Sequence, residues 1–359
     1  MEETAIQSAS IGYIVSALLC GGLLGLVLQR GRFCMNSAFR DVVFIQDVTL
    51  FRGYLIALAV MIVGSNFLND MGYITLMPQS FYPVANIVGG YIFGLGMVMA
   101  SGCGSGIYFK AGEGQLAAFA AILGFLISAG ATAFGVLSPL NTAMRSVKFE
   151  IAGKSNAMLW EIFGSGMTTK WIVIAVIAVA IFIFCLKDKP FSMGKQKGFY
   201  WSVTGLLLGF TGILTFWASQ HWGGGFARGM NFTSPSAELI STVVTNDAHS
   251  KFFPMSSIGY FTVTWAEIAV IGVPLGAFLS AKLLKEFSWK VPSAQELVTV
   301  FMGSLLMGFS GIVAGGCNVG QGLTGCATLS IGSISAIIGI ILGNWTMVYF
   351  KFIKPMQDD

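Results

Sequence analysis

Long apolar stretches separated by short polar segments make up most of this sequence. Nine of the stretches are long and apolar enough to cross a bilayer as helices, since a hydrocarbon core of about 30 Å takes roughly 20 helical residues. The pattern therefore predicts an all-α integral membrane protein. The predicted spans are residues 8–29, 50–69, 84–101, 115–137, 171–187, 199–219, 259–282, 297–315 and 332–352.

Three further segments contain apolar residues but lack the length or the composition of a span. Residues 31–46 and 224–245 are predicted to be re-entrant pieces or short interfacial helices. Residues 140–165 mix charged with apolar side chains, so they are predicted to form an amphipathic helix or loop at the surface.

A glycine–cysteine cassette occurs twice in the chain. Residues 89–106 read GGYIFGLGMVMASGCGSG, and residues 303–320 read GSLLMGFSGIVAGGCNVG. In each copy an apolar helix is predicted to end at a glycine-rich turn that carries a thiol. When Cys103 is set on Cys317, five small residues of the first copy, Gly89, Gly94, Ala100, Gly102 and Gly106, fall on Gly303, Gly308, Ala314, Gly316 and Gly320.

A weaker sequence similarity relates the start of the chain to its middle. Gly22 and Gly25 match Gly209 and Gly212, and GRFCMNSAF at 31–39 resembles GGFARGMNF at 224–232 when gaps are allowed. This similarity aligns the first span with the sixth, and the two cassettes align the third span with the eighth. Both are shifts of five crossings, and an odd shift reverses the direction of the chain.

The sequence therefore predicts two inverted repeats with re-entrant, cysteine-bearing loops. The first repeat is residues 8–137 and the second is residues 199–353, with a connecting amphipathic segment and the fifth span at 138–198. Inverted repeats with broken helices that meet near the midplane are typical of membrane transporters.

Composition and charge narrow the class of protein further. Apolar residues make up 55% of the 359-residue chain, charged residues only 10%, and the mean hydropathy is +0.77, whereas soluble domains are about a quarter charged. The net charge of +4 comes with no basic stretch long enough to follow a nucleic acid. Six cysteines without a CxxC pair and two histidines predict no metal site. No GxGxxG or GxxxxGK motif occurs, and no cofactor is predicted.

The distribution of lysine and arginine predicts the orientation. Alternation across nine spans puts fourteen of these residues on one side and six on the other, and the positive-inside rule assigns the larger group to the cytoplasm. The N-terminus is then outside and the C-terminus inside. The fourteen are Arg30, Arg32, Arg40, Arg52, Lys110, Lys187, Lys189, Lys195, Lys197, Lys282, Lys285, Lys290, Lys351 and Lys354, and the six are Arg145, Lys148, Lys154, Lys170, Arg228 and Lys251.

The glycine-rich turns are the strongest candidates for chemistry. Irregular backbone at membrane depth is tolerated only inside protein or along a wet cavity, and a short helix that begins after such a turn offers free N–H groups to an anion. The alternative is a close helix contact in which the cysteine acts as a small apolar filler. Cys34 is a third candidate thiol, Cys20 and Cys185 are interpreted as packing residues, and the role of Cys326 is open.

Three charged residues complete the candidate set. Glu238 and Glu267 are the acids expected at membrane depth, where a carboxylate is a candidate for coupling, although a helix-pairing role explains them equally well. Arg228 is placed to draw an anion into the outer mouth.

These motifs resemble those of the YeeE/YedE family of sulfur-compound permeases over nearly the whole chain. The resemblance is carried by GRFCMNSAFRD at 31–41, ASGCGSG at 100–106, KAGEG at 110–114 and AGGCNVGQGLTG at 314–325. It implies inverted halves and import of thiosulfate or a related sulfur species, with a cytoplasmic TusA-like sulfur carrier as the partner. It also implies that Cys317 meets the substrate outside, Cys103 holds it centrally and Cys34 passes it inward. Some relatives act in selenium metabolism, so the substrate is open within this class.

The chemistry of thiosulfate is compatible with these roles. Backbone N–H groups suit its oxygens, and a neutral S–H donates weakly to its soft sulfur, so the thiols are predicted to hydrogen-bond the ion rather than attack it. The prediction is thus a thiosulfate transporter of the bacterial inner membrane and not an enzyme. The alternatives are a sulfurtransferase or thiol oxidoreductase that forms persulfides, a selenium-compound permease, and a channel for small neutral solutes. The predicted substrate-binding residues are Cys34, Cys103, Cys317, Gly104, Ser105, Gly106, Asn318, Gly320 and Arg228, and the possible coupling acids are Glu238 and Glu267.

Overall fold

All nine predicted spans are found as helices. A computed structural model of the chain describes residues 7–151, 153–164, 166–187, 198–250 and 252–358, and these residues contain nine helices that are long and apolar enough to cross a membrane. The protein is therefore an integral membrane protein. The long helices are α1 (Ile11–Arg30), α3 (Thr49–Asp70), α4 (Pro83–Met99), α6 (Leu116–Ala133), α8 (Met167–Leu186), α9 (Trp201–Trp222), α11 (Trp265–Leu283), α12 (Ala294–Ala314) and α13 (Ile331–Val348).

Short helices follow several of the long ones. The segments predicted not to span contain α2 (Met35–Phe44) after α1 and α10 (Thr233–Thr245) after α9. After α4 comes α5 (Gly104–Gly112), and after α12 residues 318–327 form a short helix whose Gly320–Gly325 turn is π-helical. The chain ends in a π-helical turn at Tyr349–Ile353 and in α14 (Lys354–Asp358).

A small sheet corrects the predicted start of the seventh span. Strands β1 (Gln7–Ser8), β2 (Met255–Ile258) and β3 (Phe261–Thr264) pair in that order, with β1 parallel to β2 and β2 antiparallel to β3. The prediction of a helix from residue 259 was wrong because residues 261–264 pair as a hairpin strand. The Thr264 hydroxyl then accepts a hydrogen bond from the Glu267 N–H and caps α11.

The long helices pack through glycines. A Cβ added at Gly21 or Gly25 of α1 would collide with the carbonyl oxygen of Ala269 or Val273 in α11. In the same way, a Cβ at Gly90 would lie against a backbone carbonyl of α13. The missing side chains let the helix backbones approach closely.

The helix pairings have a regular pattern. Helix α1 packs on α11 and α3 packs on α9, while α4 packs on α13 and α6 packs on α12. Helices α4 and α12 also pack on each other, as do α1 and α9. The same set of pairs results when each helix of the first half is exchanged for one of the second: α1 for α9, α3 for α11, α4 for α12 and α6 for α13.

The predicted surface segment has the expected exposure. Within the described part of residues 140–165 lie most of α7 (Ser138–Met144) and a 3-10 turn at Leu159–Ile162, and neither element contains a buried residue. Lys189, Lys195, Lys197 and Lys251 of the orientation prediction lie outside the described residues. The repeat boundaries and the orientation stay predictions.

Candidate functional site

The two cysteine turns have the same local geometry. Cys103 precedes α5, and its Sγ accepts a hydrogen bond from the Gly106 N–H at 3.3 Å. Cys317 precedes the helix at 318–327, and its Sγ accepts from the Gly320 N–H at 3.4 Å. These are the residues that the alignment of the two cassettes pairs. A short helix begins after each turn, which is the condition that the sequence analysis set for an anion site there.

The backbone before each cysteine is also the same. Ser101 and Gly315 each lie two residues before the thiol, and both have a positive φ, 54° and 83°. A residue that carries a side chain adopts this conformation only at a cost in free energy, but the conformation ends a helix abruptly. At Gly315 the N–H bonds the Ile312 carbonyl and closes the last turn of α12. The chain therefore leaves the preceding helix through a similar backbone conformation in both cassettes.

Two of the candidate thiols are in direct contact. The Sγ atoms of Cys34 and Cys103 lie 3.6 Å apart and are buried, and either thiol can donate the hydrogen bond. Cys34 precedes α2, so two short helices begin at this contact. A Cβ at Gly106 would lie 2.9 Å from the Cys34 sulfur and 3.2 Å from the Cys103 sulfur. Glycine at this position therefore leaves both sulfur atoms accessible to the backbone.

Gly104 joins this pair to the third thiol. A Cβ at Gly104 would lie 3.3 Å from the Cys317 Sγ and 3.4 Å from the Cβ of Phe232, the residue before α10. The beginnings of α5, α10 and the 318–327 helix thus converge on one point. Cys317, Gly104, Cys103 and Cys34 form a continuous file, which is called the thiol file below.

Uncharged polar side chains line the thiol file. The Ser105 Oγ lies 3.4 Å from the Cys103 Sγ. The Asn318 side chain adjoins Cys103 and is fully buried, yet neither its nitrogen nor its oxygen has a hydrogen-bond partner among the described residues. The Asn231 Oδ1 lies 4.0 Å from the Cys317 Sγ, and the Thr233 Oγ1 beside it is also unpartnered within the described chain. Such groups offer hydrogen bonds to a dehydrated ion.

Arg228, Glu238 and Glu267 come together in a separate cluster. The Arg228 Nη2 donates to both Glu238 oxygens at 2.8 Å, and both side chains are about 5% exposed. Thr264 donates to Glu238 at 2.7 Å, and Thr242 donates to Glu267 at 3.3 Å. The Arg228 guanidinium also lies 4.1 Å from the centre of the Phe253 ring. Glu238 therefore compensates the positive charge of Arg228. The predicted role of Arg228, to draw an anion into the outer mouth, stays a prediction.

Two of the remaining cysteines lie outside the core cluster that contains the thiol file, and Cys326 lies within that cluster. Cys20 packs in an apolar cluster with Trp265 and Ala218, and Cys185 lies 3.9 Å from the Arg52 carbonyl oxygen. Cys326 is buried in the central core next to the π-helical turn. Within the described residues, no group of three or more His, Cys, Asp or Glu side chains is arranged to hold a metal ion.

Sequence reasoning did not single out Asn231 or the buried pair of Asn36 and Asn344. The Asn344 Nδ2 donates to the Asn36 Oδ1 at 2.8 Å, and Asn36 lies two residues after Cys34. The signal was present in the weaker repeat, because Met35–Asn36 and Met230–Asn231 are the same dipeptide in the two halves. With these dipeptides aligned, Gly229 stands where the first half has Cys34.

The fold and the buried file of thiols define a multi-pass membrane protein built around sulfur side chains. The sequence model of a family described as sulphur transport matches residues 30–346. The chain belongs to this family, and the resemblance to the YeeE/YedE permeases is confirmed.

Curated relatives extend the match over almost the whole chain. The thiosulfate transporter TsuA of Escherichia coli is 30% identical over 352 residues, which is 96% of each protein. The thiosulfate transporter TsuA of Spirochaeta thermophila is 33% identical over 347 residues, 94% of this chain and 99% of that protein. A shorter match, 32% identical over 114 residues, covers 32% of this chain and 27% of the "Probable transporter YedE" of Escherichia coli.

Proposed function

We propose that this protein takes up thiosulfate, or a closely related inorganic sulfur species, across the bacterial cytoplasmic membrane. The observation that carries the proposal is the thiol file, in which three buried cysteines follow one another at the beginnings of short helices. Full-length similarity to two proteins named as thiosulfate transporters supports the same substrate.

The substrate path runs along the thiol file. The ion meets Cys317 first, is held at Cys103 and passes to Cys34 on the cytoplasmic side. The 3.6 Å between the Cys103 and Cys34 sulfur atoms supports this order, because one ligand atom can contact both. A TusA-like carrier receives the sulfur species in the cytoplasm, as the family resemblance implies.

Neutral hydrogen-bond donors hold the ion in this path. Thiosulfate carries two negative charges, so S–H groups, amides and backbone N–H groups suit it better than thiolates. The Asn318 amide is buried without a partner among the described residues, which costs roughly 1–3 kcal/mol. A passing ion that accepts from Asn318 offsets that cost. Weak donors also allow release, which transport requires.

Inverted repeats with re-entrant loops give the path its shape. In the first repeat, 8–137, and the second, 199–353, the short helices follow equivalent long helices. The symmetric set of helix pairs supports this arrangement, as does the shared geometry at Cys103 and Cys317. The N-terminus lies outside and the C-terminus inside, as the lysine and arginine distribution favours.

A growth experiment tests the substrate. A bacterium that lacks its own sulfur uptake is transformed with this gene and grown on thiosulfate as the sole sulfur source, with cysteine medium as the viability control. We expect rescue on thiosulfate and no difference from the empty vector on cysteine. Failure to grow on thiosulfate, with the protein present in the membrane, contradicts the proposal.

A further inference from the structure

Arg145 lies beside the turn that precedes Cys317. It ends α7, and its Nη2 is 3.5 Å from the point that a Cβ on Gly315 would occupy. The guanidinium also lies 4.7 Å from the centre of the Tyr82 ring. A residue of the surface segment thus reaches the Cys317 end of the thiol file.

Two amide side chains converge on the same point. The Gln79 Oε1 would lie 2.9 Å and the Gln321 Nε2 3.2 Å from the same Gly315 Cβ. Gln79 donates to the Gly315 carbonyl at 3.2 Å and accepts from the Gln321 Nε2 at 2.8 Å. Gln321 is fully buried, and its Nε2 also donates to the Ala314 carbonyl at 2.6 Å. Its unpartnered Oε1 is an acceptor, so any donor to an anion at this point comes from Arg145. Gly315 therefore leaves room for three polar side chains to meet.

The charge of Arg145 is not compensated by any acid in the described chain. None of the ion pairs found there includes it. Burial lowers the pKa of Arg145 because desolvation disfavours the charged form, but an arginine stays protonated at neutral pH. A partly buried cation that lacks an anionic partner is unfavourable, and an anion beside it relieves that cost.

We propose that Arg145, positioned beside Gln79 and Gln321, supplies the hydrogen-bond donors of a subsite for the oxygen atoms of a sulfur oxyanion next to Cys317. The inference rests on the proposed uptake function and assigns the first contact in it. A guanidinium recognises oxyanions through paired N–H donors. The subsite thus selects for the oxygens that thiosulfate and sulfate share, while the thiol file selects for the terminal sulfur.

Binding to the purified protein tests the subsite without transport. Isothermal titration with sodium thiosulfate and with sodium sulfate compares the wild type with Arg145→Gln, Arg145→Lys and Lys148→Gln. Lys148 is the matched control because it is exposed and lies 5.8 Å from the same Tyr82 ring. We expect Arg145→Gln to weaken binding of both anions about tenfold or more, Arg145→Lys to weaken it less, and Lys148→Gln to leave it unchanged.

Equal sulfate affinity in the wild type and Arg145→Gln, or no sulfate binding to the wild type, would overturn the subsite. So would a loss in Lys148→Gln as large as that in Arg145→Gln. Uptake assays separate this outcome from failure of the proposed function. If the wild type imports thiosulfate and Arg145→Gln has an unchanged KM, the subsite is wrong and the function stands. If the wild type imports none, the function is wrong, and the sulfate titration alone decides the subsite.

Discussion

The Sγ atom of Cys34 lies 3.6 Å from the Sγ atom of Cys103, although the residues are 69 positions apart in the chain. Both thiols are buried, and each precedes a short helix. The contact is too long for a disulfide, and both cysteines are free. Two thiols at this distance can contact one acceptor atom, so in the proposed path an ion held at Cys103 would have its next contact within reach.

Removing the central thiols should abolish most uptake. Replacing Cys103 or Cys317 by Ala deletes one donor to a charged substrate, which is worth about 1.5–3 kcal/mol and corresponds to a loss of roughly ten- to hundredfold. Uptake of labelled thiosulfate by cells with equal amounts of protein in the membrane measures the effect.

The matched control is Cys185→Ala, which also removes a buried thiol but lies outside the thiol file. We expect uptake close to that of the wild type, and the same for Cys20→Ala. Near-normal uptake by both Cys103→Ala and Cys317→Ala would remove the basis for a thiol relay.

A methyl group at Gly104 should obstruct the file. The added Cβ would lie 3.1 Å from the Cys317 Cβ and 3.3 Å from its Sγ, which is closer than ordinary van der Waals contact. Gly104→Ala is expected to reduce uptake at least about tenfold, with a stability loss of only about 1–3 kcal/mol from the local crowding. Uptake and thermal unfolding in detergent are measured on the same variant.

Gly22→Ala provides the comparison for this change. A Cβ at Gly22 would meet only the Gly272 carbonyl oxygen, at 3.9 Å. Uptake should therefore stay within about twofold of the wild type, since alanine is the more favourable residue in a helix. If Gly104→Ala transports as well as Gly22→Ala, the point of closest approach to Cys317 is not on the path.

The spans could be read from the sequence because lipid imposes a simple requirement. A helix in hydrocarbon satisfies its own backbone groups and must be apolar over its full length, and that pattern is visible in each of the nine predicted stretches. The prediction was wrong at residue 259 because Phe261–Thr264 is short and consists of aromatic and β-branched residues. Such a run next to a helix has the same hydropathy whether it is helical or paired.

The sequence was sufficient to name the residues of the candidate site but not to predict how they are arranged. The cassettes single out Cys103 and Cys317 because glycine-rich turns are written in the local sequence. Contacts between distant segments leave no such mark. Arg228 and Glu238 were interpreted as an anion-attracting group and a coupling acid, and their ion pair appears only when the turn before α10 is folded. The position of Arg145 beside the Gly315 turn could not be predicted either, because Arg145 belongs to a segment that was predicted to lie at the surface.

The Arg228–Glu238 pair is expected to be structurally coupled. Removing one partner leaves a buried charge unpaired, which costs about 3–5 kcal/mol, whereas replacing both by apolar residues costs far less. Arg228→Met and Glu238→Leu should each lower the Tm in detergent strongly, and the double variant should recover most of the loss. A double variant that is as unstable as the sum of the single changes contradicts the coupling.

The topology can be checked with an impermeant thiol reagent, since the native cysteines are all buried. Ser8→Cys should be labelled in intact cells, because the N-terminus is predicted to be outside. Met356→Cys, at a residue that is 70% exposed, should be labelled only after lysis. The wild type, with no introduced cysteine, gives the background. Labelling of both positions from the same side requires an even number of crossings and excludes inverted repeats.

Serine at position 34 separates hydrogen bonding from covalent sulfur transfer. In the donor hypothesis Cys34→Ser keeps partial uptake, about a tenth or more of the wild type, because the hydroxyl still donates within a similar volume. In the transferase alternative a thiolate attacks the terminal sulfur of thiosulfate, the S–S bond breaks with its electron pair on the departing sulfite, and a persulfide remains on the cysteine. Serine oxygen does not replace sulfur in that exchange, so Cys34→Ser would be as inactive as Cys34→Ala.

Intact-protein mass spectrometry after incubation with thiosulfate distinguishes the two hypotheses directly. An unmodified wild type with a partly active serine variant supports hydrogen bonding, whereas one added sulfur atom with an inactive serine variant establishes the transferase.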